Sequence, residues 1–198
     1  EYGGTAILLD INDEQGLRIS QELSKRFPDK CFYYNCDITN ENKLEDIKEK
    51  ILSDFGKIDI LINNAAIDPK VVKNSSGKAF SRLEFFNIEQ WNLELKVGLT
   101  GAFLCTKVFG YNMAENWGGS IINISSDLGI IAPDQRLYRK ENLPEENQPV
   151  KPVTYSVIKH GLIGLTKYTA TYWADKHCSD EERNSMVWWT MPIETPEE

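Results

Sequence analysis

The chain of 198 residues has two histidines and four cysteines, and no two of its cysteines form a CxxC pair. Zinc sites and disulfide frameworks need more of both at closer spacing. Their scarcity argues against those classes and points to a reducing cytoplasm. Positive charge is also short, with 22 Lys and Arg against 30 Asp and Glu and a net charge of −8. That balance argues against nucleic acid or anionic membrane as a partner. No apolar run approaches the roughly 20 residues a membrane helix needs. No basic-then-apolar leader opens the chain. It starts at Glu1-Tyr2-Gly3-Gly4 without a methionine and enters a strand-like segment at once, which reads as a chain entered part-way.

What is present alternates. Thr5-Ala6-Ile7-Leu8-Leu9-Asp10 is an apolar run closed by an acid and reads as a buried strand. A capping-box pattern at Asn12 and Gln15 opens a helix to about Phe27, with Ile19, Leu23 and Phe27 on one face. Residues 31–36 read as a second strand, closing with Asp37-Ile38. Thr39 or Asn40 caps a second helix, with Leu44, Ile47, Ile51 and Phe55 inward and Gly56 as its stop. Residues 58–63 form strand three, residues 69–81 a loop, residues 88–116 a long helix and residues 120–125 strand four. The polar stretch 132–152, with four prolines, is long enough to be a lid. A last helix follows to about Lys176. Each strand is too apolar for a wet face, so the pattern predicts a doubly wound parallel α/β sheet in a single domain.

The last helix carries Tyr155-Ser156-Val157-Ile158-Lys159. A tyrosine and a lysine four apart lie on one helix face. An ammonium beside a phenol favours the phenolate, lowering a tyrosine's usual value of about 10 by roughly 1–3 units. Such a pair suits proton transfer near neutral pH. The spacing alone is weak, since eight tyrosines and 16 lysines give a second match at Tyr172 and Lys176.

Ligands of doubly wound sheets bind beyond the carboxyl ends of the strands. There the sequence puts Asp10, Asp37-Ile38, Asn63-Asn64-Ala65-Ala66 and Ser125-Ser126-Asp127-Leu128-Gly129. Each has a plainer reading: a turn or cap acid, a polar turn, or a solvated serine turn. Taken in order with Tyr155-x-x-x-Lys159, they resemble the short-chain dehydrogenase/reductase family over residues 1–176. The resemblance implies a Rossmann-like fold and an NAD-dependent oxidoreductase, NADP being disfavoured by Asp10. It makes Asp10 the ribose acid, Asp37 and Ile38 the adenine contacts, and Asn64, Ala65 and Ala66 the wall beside the cofactor. Ser126, three before Gly129, becomes the substrate-polarising serine. Tyr155 becomes the proton donor or acceptor, and Lys159 the cation that assists it and grips the nicotinamide ribose. Residues 97–105 and 131–138 further resemble the flagellin-modification protein A branch, associated with nonulosonic sugars of bacterial surface glycans.

The family's opening strand with its glycine-rich phosphate turn would precede this chain, and its last strands are expected to be missing. Residues 177–198 are left as a tail; Val187-Trp188-Trp189-Thr190-Met191 has strand propensity but no place in the pattern. Gly98 stands where the family carries a helix asparagine. The expected partner is a small sugar-type substrate, with Arg136, Arg139, Lys140 and Lys151 of the long loop as cations for a phosphate or carboxylate. Apolar surface on the two long helices predicts a homodimer or homotetramer. A second reading is a non-catalytic remnant kept for oligomerisation or binding.

Overall fold

The computed structural model describes residues 3–67, 81–116, 118–174 and 176 in full, and the backbone of residues 187–192. β1 (Ala6–Asp10) and β2 (Cys31–Asn35) pair in parallel, Ala6 opposite Cys31 and Asp10 opposite Asn35. β3 (Ile60–Asn63), β4 (Ser120–Ser125) and β5 (Val187–Pro192) form a second parallel sheet with β4 in the middle. The expected sheet is therefore parallel throughout but in two pieces, because β1 and β3 share no ladder. Two expectations are corrected here. The tail contributes a strand: residues 187–192 pair with β4 from Ser120–Val187 to Ser125–Pro192. In addition, β3 does have a wet side, with Ile60 and Ile62 exposed at 59% and 57%.

One hydrophobic core serves both pieces. Leu44, Ile47 and Ile51 of α2 (Glu41–Phe55) pack with Cys36, Cys105, Val108 and Phe109. Ile7 and Leu9 of β1 and Leu61 of β3 close onto the same cluster. α2 is capped as the sequence indicates, Asn40 accepting from the Lys43 amide at 3.2 Å and Gly56 ending it at φ 82°. α1 (Asp13–Arg26) likewise begins on Asn12, whose side chain accepts from Gln15 N at 3.0 Å. Of its apolar face, Leu23 and Phe27 are half-buried. Gly16 and Ser20 are buried while Ile19 is exposed. A Cβ at Gly16 would lie 2.1–2.6 Å from carbons of the Tyr33 ring, so that ring sets the helix's roll and turns Ile19 outward.

The long helix over residues 88–116 is continuous but uneven. α3 (Ile88–Leu95), α4 (Ala102–Cys105) and α5 (Tyr111–Asn116) are joined by π-helical turns at Lys96–Gly101 and Thr106–Gly110. Gly119 then turns the chain into β4 at φ 151°, where a Cβ would meet the Asp59 carbonyl oxygen at 2.5 Å. Such a position admits only glycine. The stretch 132–152 is organised by Gln148, which accepts from Lys140 N and donates to the Lys140 and Leu143 carbonyls. α6 (Val153–Tyr172) follows and crosses β4. The loop expected at residues 69–81 lies outside the described residues except for Ser81.

Candidate active site

Within each sheet piece the strands are parallel, and the residues singled out stand at their carboxyl ends. Their surroundings differ. Asp10 ends β1 exposed, its Oδ1 accepting from Asn12 N at 2.9 Å. Asp37 accepts from both the amide and the hydroxyl of Thr39, at 2.9 and 2.7 Å. Those two bonds hold its carboxyl below the usual carboxylate range, with a smaller contribution from Lys96. Ile38 packs inward, its Cδ1 in the space a Cβ at Gly101 would need. Asn64, Ala65 and Ala66 are exposed beyond β3.

The next strand builds the tighter cluster. Ser126 is buried and opens a short 3-10 turn, Asp127–Gly129. Its hydroxyl donates to Asp127 Oδ1 at 2.6 Å and accepts from Leu128 N at 3.2 Å. Asp127 is held below the usual carboxylate range, first by that serine and then by the Leu128 amide. Ser125 donates from Oγ to the Lys159 carbonyl at 2.8 Å. Lys159 in turn sends its ammonium to the Ile124 carbonyl at 2.8 Å. Gly129 is required for this closeness: a Cβ there would lie 2.6 Å from Ser125 Oγ and 2.8 Å from the Lys159 carbonyl oxygen. The serine-x-x-glycine spacing is thus a packing demand as well as a chemical one.

Tyr155, half-buried one turn before Lys159, has the Lys159 ammonium 5.5 Å from its ring centroid and the Lys151 ammonium at 3.8 Å. Burial, and then the charge of Lys151, hold Lys159 below its ordinary value. The structure thus brings Lys159 against the Tyr155 ring on one side and the end of β4, two residues before Ser126, on the other. The second match, Tyr172 and Lys176, does not share a helix: α6 ends at Tyr172, and Lys176 lies beyond it, paired with Glu115.

Sequence reasoning missed the polar scaffold beneath this cluster. Asn63 donates to Asn123 Oδ1 at 2.8 Å and to Thr106 Oγ1 at 3.1 Å, and Asn123 donates to Thr166 Oγ1 at 2.8 Å. These buried side chains tie β3 to β4, and β4 to α6. Glu94, only 2% exposed, accepts from Thr154 at the start of α6. An amide in the middle of an apolar strand, as at Asn123, was the available signal. Gly98 is buried, and a Cβ there would stand 3.0 Å from Ile158 of α6.

A two-piece parallel sheet between helices, with a serine, tyrosine and lysine at its carboxyl edge, defines a dinucleotide-type α/β protein. The chain belongs to the short chain dehydrogenase family, whose model matches residues 1–138. It is 31% identical over 176 residues to an NADP-dependent mannitol dehydrogenase of Alternaria alternata, covering 88% of this chain and 57% of that protein. It is 30% identical over 173 residues to the NAD(+)-dependent 15-hydroxyprostaglandin dehydrogenase of Rattus norvegicus, covering 85% and 52%. Among solved structures, an NAD+-bound xylitol dehydrogenase superposes with a TM-score of 0.69 at 25% identity, covering 87% of this chain and 57% of that one. The chain therefore spans little more than half the length of the relatives it matches.

Proposed function

We propose that the protein to which this chain belongs transfers a hydride between a nicotinamide cofactor and a sugar-derived alcohol or ketone. The carrying observation is Lys159, bonded to the Ile124 carbonyl and set beside the Tyr155 ring. In this reading Ser126 holds the substrate oxygen, and Tyr155 gives or takes a proton at that same oxygen. The nicotinamide, when bound, supplies or accepts the hydride. Lys159 supplies a positive charge beside the phenol ring and a donor for a ribose hydroxyl.

The residues present fit the ends of a dinucleotide. Asp10 offers an exposed carboxylate for ribose hydroxyls and repels a 2′-phosphate, which favours NAD over NADP. Asp37 and Ile38 edge the adenine, and the small exposed Ala65 and Ala66 beside Asn64 leave room for a flat ring. The phosphates need another cradle, because α1 begins on Asp13 and Glu14, whose charges oppose an anion. Residues 97–105 and 131–138 support a place in nonulosonic-acid or surface-glycan biosynthesis in the cytoplasm. Buried thiols at Cys31, Cys36 and Cys105 are consistent with that compartment. Among the described residues no helix is long and apolar enough to cross a membrane.

The full-length protein tests this directly. Reduction of NAD+ and NADP+ is followed by absorbance with a panel of sugar alcohols and amino sugars. Tyr155→Phe is expected to lower kcat by roughly 10²–10⁴-fold, the usual worth of a general acid–base group. Asp10→Ser is expected to raise the NADP share of activity. A full-length protein that binds neither nucleotide would leave only the reading of an oligomerisation or binding module.

A further inference from the structure

We infer that the substrate carries an anionic group, received by Lys151 at the edge of a cleft beside the start of α6; this rests on the oxidoreductase reading above. Of the four loop cations the sequence offers, the structure removes two. Arg136 is paired with Asp134 at 2.7 Å, and Arg139 with Glu145. Lys140 is exposed, and its backbone is clamped by Gln148. Lys151 differs from all three. Among the described residues its ammonium forms no ion pair, and it stands 3.8 Å above the centroid of the Tyr155 ring.

The stem of Lys151 is fixed. Its own amide donates to Gln135 Oε1 at 2.9 Å, and the preceding amide, of Val150, reaches Ser81 Oγ at 3.4 Å. Pro152 follows and restricts the backbone further. A long side chain on a held stem is a poor choice for solvent alone and a good one for a ligand. Two ammonium groups flank one ring here, with Asp127 as a nearby countercharge: the charge of Lys151 favours the Asp127 carboxylate and opposes the Lys159 ammonium. An arriving anion relieves that repulsion.

There is room for the rest of such a molecule. A cleft of about 380 Å³ is lined by Lys151, Arg82, Gln135, Ser156 and Val157, within the usual range for small-molecule sites. Neither Ser126 nor Tyr155 lines it, so it is an annex to the reacting centre, with Lys151 at the join. Glu84 also lines it, its carboxylate 3.6 Å from the Arg82 guanidinium. The Ser156 hydroxyl in the same wall is buried without a hydrogen-bond partner in the protein.

The test uses full-length protein and three probes: galactonate, galactose 6-phosphate and the neutral galactitol. Turnover and calorimetric binding are measured for the native chain, Lys151→Gln and Lys151→Arg. The expected result is preference for one of the two acids, lost on Lys151→Gln through a rise in KM or Kd of roughly tenfold or more, and largely kept by Lys151→Arg. Which acid responds separates a carboxylate from a phosphate. Equal preference in native and Lys151→Gln protein overturns the inference. So does a fall in kcat alone, shared by acid and neutral substrate, because Lys151 would then act on Tyr155. Absence of turnover with retained, Lys151-dependent binding of an acid overturns the oxidoreductase reading and leaves the anion site standing. No binding of either acid by the native chain overturns the anion site.

Discussion

Cys36 and Cys105 are buried free thiols in the core, and their surroundings shift both. Burial pushes Cys36 from 9.0 to about 11 and Cys105 to about 12, the latter with a small addition from Cys36. Both folded values lie above the unfolded one, so the folded chain keeps these protons longer. Their contribution to stability is whole below about pH 9 and is lost as pH rises toward 11–12. Native protein should therefore leave Cys36 and Cys105 unlabelled by a thiol reagent near about pH 8. Labelling at the rate of urea-unfolded protein would contradict the burial. Gly129 makes a second prediction at this scale. Gly129→Ala pushes into Ser125 Oγ and the Lys159 carbonyl, so it should cost about 1–3 kcal/mol. It should also lower activity in whatever fraction still folds; an alanine variant as stable and active as the native chain would show that the contact yields freely. The sequence marked Gly129 by its distance from Ser126, but of the atoms that forbid a Cβ only Ser125 Oγ is near in sequence; the Lys159 carbonyl comes from α6, a helix remote in sequence.

Among the elements, α2 was readable almost residue by residue, because its cap, its apolar stripe and its glycine stop are all local. α1 was readable in extent but not in roll. Its inward face depends on Gly16 meeting Tyr33, a contact between neighbouring elements that no periodicity encodes. The residues beneath the site behave the same way. Asn63, Asn123 and Thr166 form one buried chain of hydrogen bonds across β3, β4 and α6. Asn123→Ala would remove the bond from Asn63 and the bond to Thr166, leaving Asn63 its bond to Thr106 and Thr166 its bond to the Leu162 carbonyl, and each buried hydrogen bond lost in this way costs about 0.5–1.5 kcal/mol. Chemical denaturation should show a loss of at least one such step. A midpoint unchanged from native would mean that water replaces the amide without cost. The polar chain also explains why β4 and α6 keep register: an apolar ladder could slide, whereas paired amides and hydroxyls fit in one position only.

For the molecule as a whole, two sheet pieces are held as one body by the core beneath them rather than by a continuous ladder. That core leaves a great deal of the long helices uncovered. Val108, Phe109, Leu162 and Trp173 turn inward, while Phe103, Tyr111, Val157, Tyr168 and Tyr172 remain exposed. Tyr168 and Tyr172 stack at 5.6 Å on the outer face of α6. Contiguous apolar surface of this kind marks an interaction site, and a second copy in a closed symmetric assembly is the expected occupant. Light scattering of the full-length protein at micromolar concentration is expected to give a dimer or a tetramer, and Tyr168→Lys with Tyr172→Lys is expected to shift it toward monomer. A native monomer mass would remove the interface.

The sequence by itself determined the alternation of strands and helices, their caps and stops, and which residues stand at the carboxyl ends. All of these follow from side-chain period and backbone preference within a few neighbouring residues. It also indicated that the tyrosine–lysine pair at 155 and 159 mattered more than the pair at 172 and 176, through the motifs preceding it. Only tertiary structure decided that the sheet falls in two pieces, that residues 187–192 complete one of them, and that Lys151 rather than Arg136 faces Tyr155. Strand partnership and the pairing of surface charges depend on which distant segments meet. Those meetings are set by the shared burial of Ile7, Leu61, Leu44 and Val108, not by any local pattern.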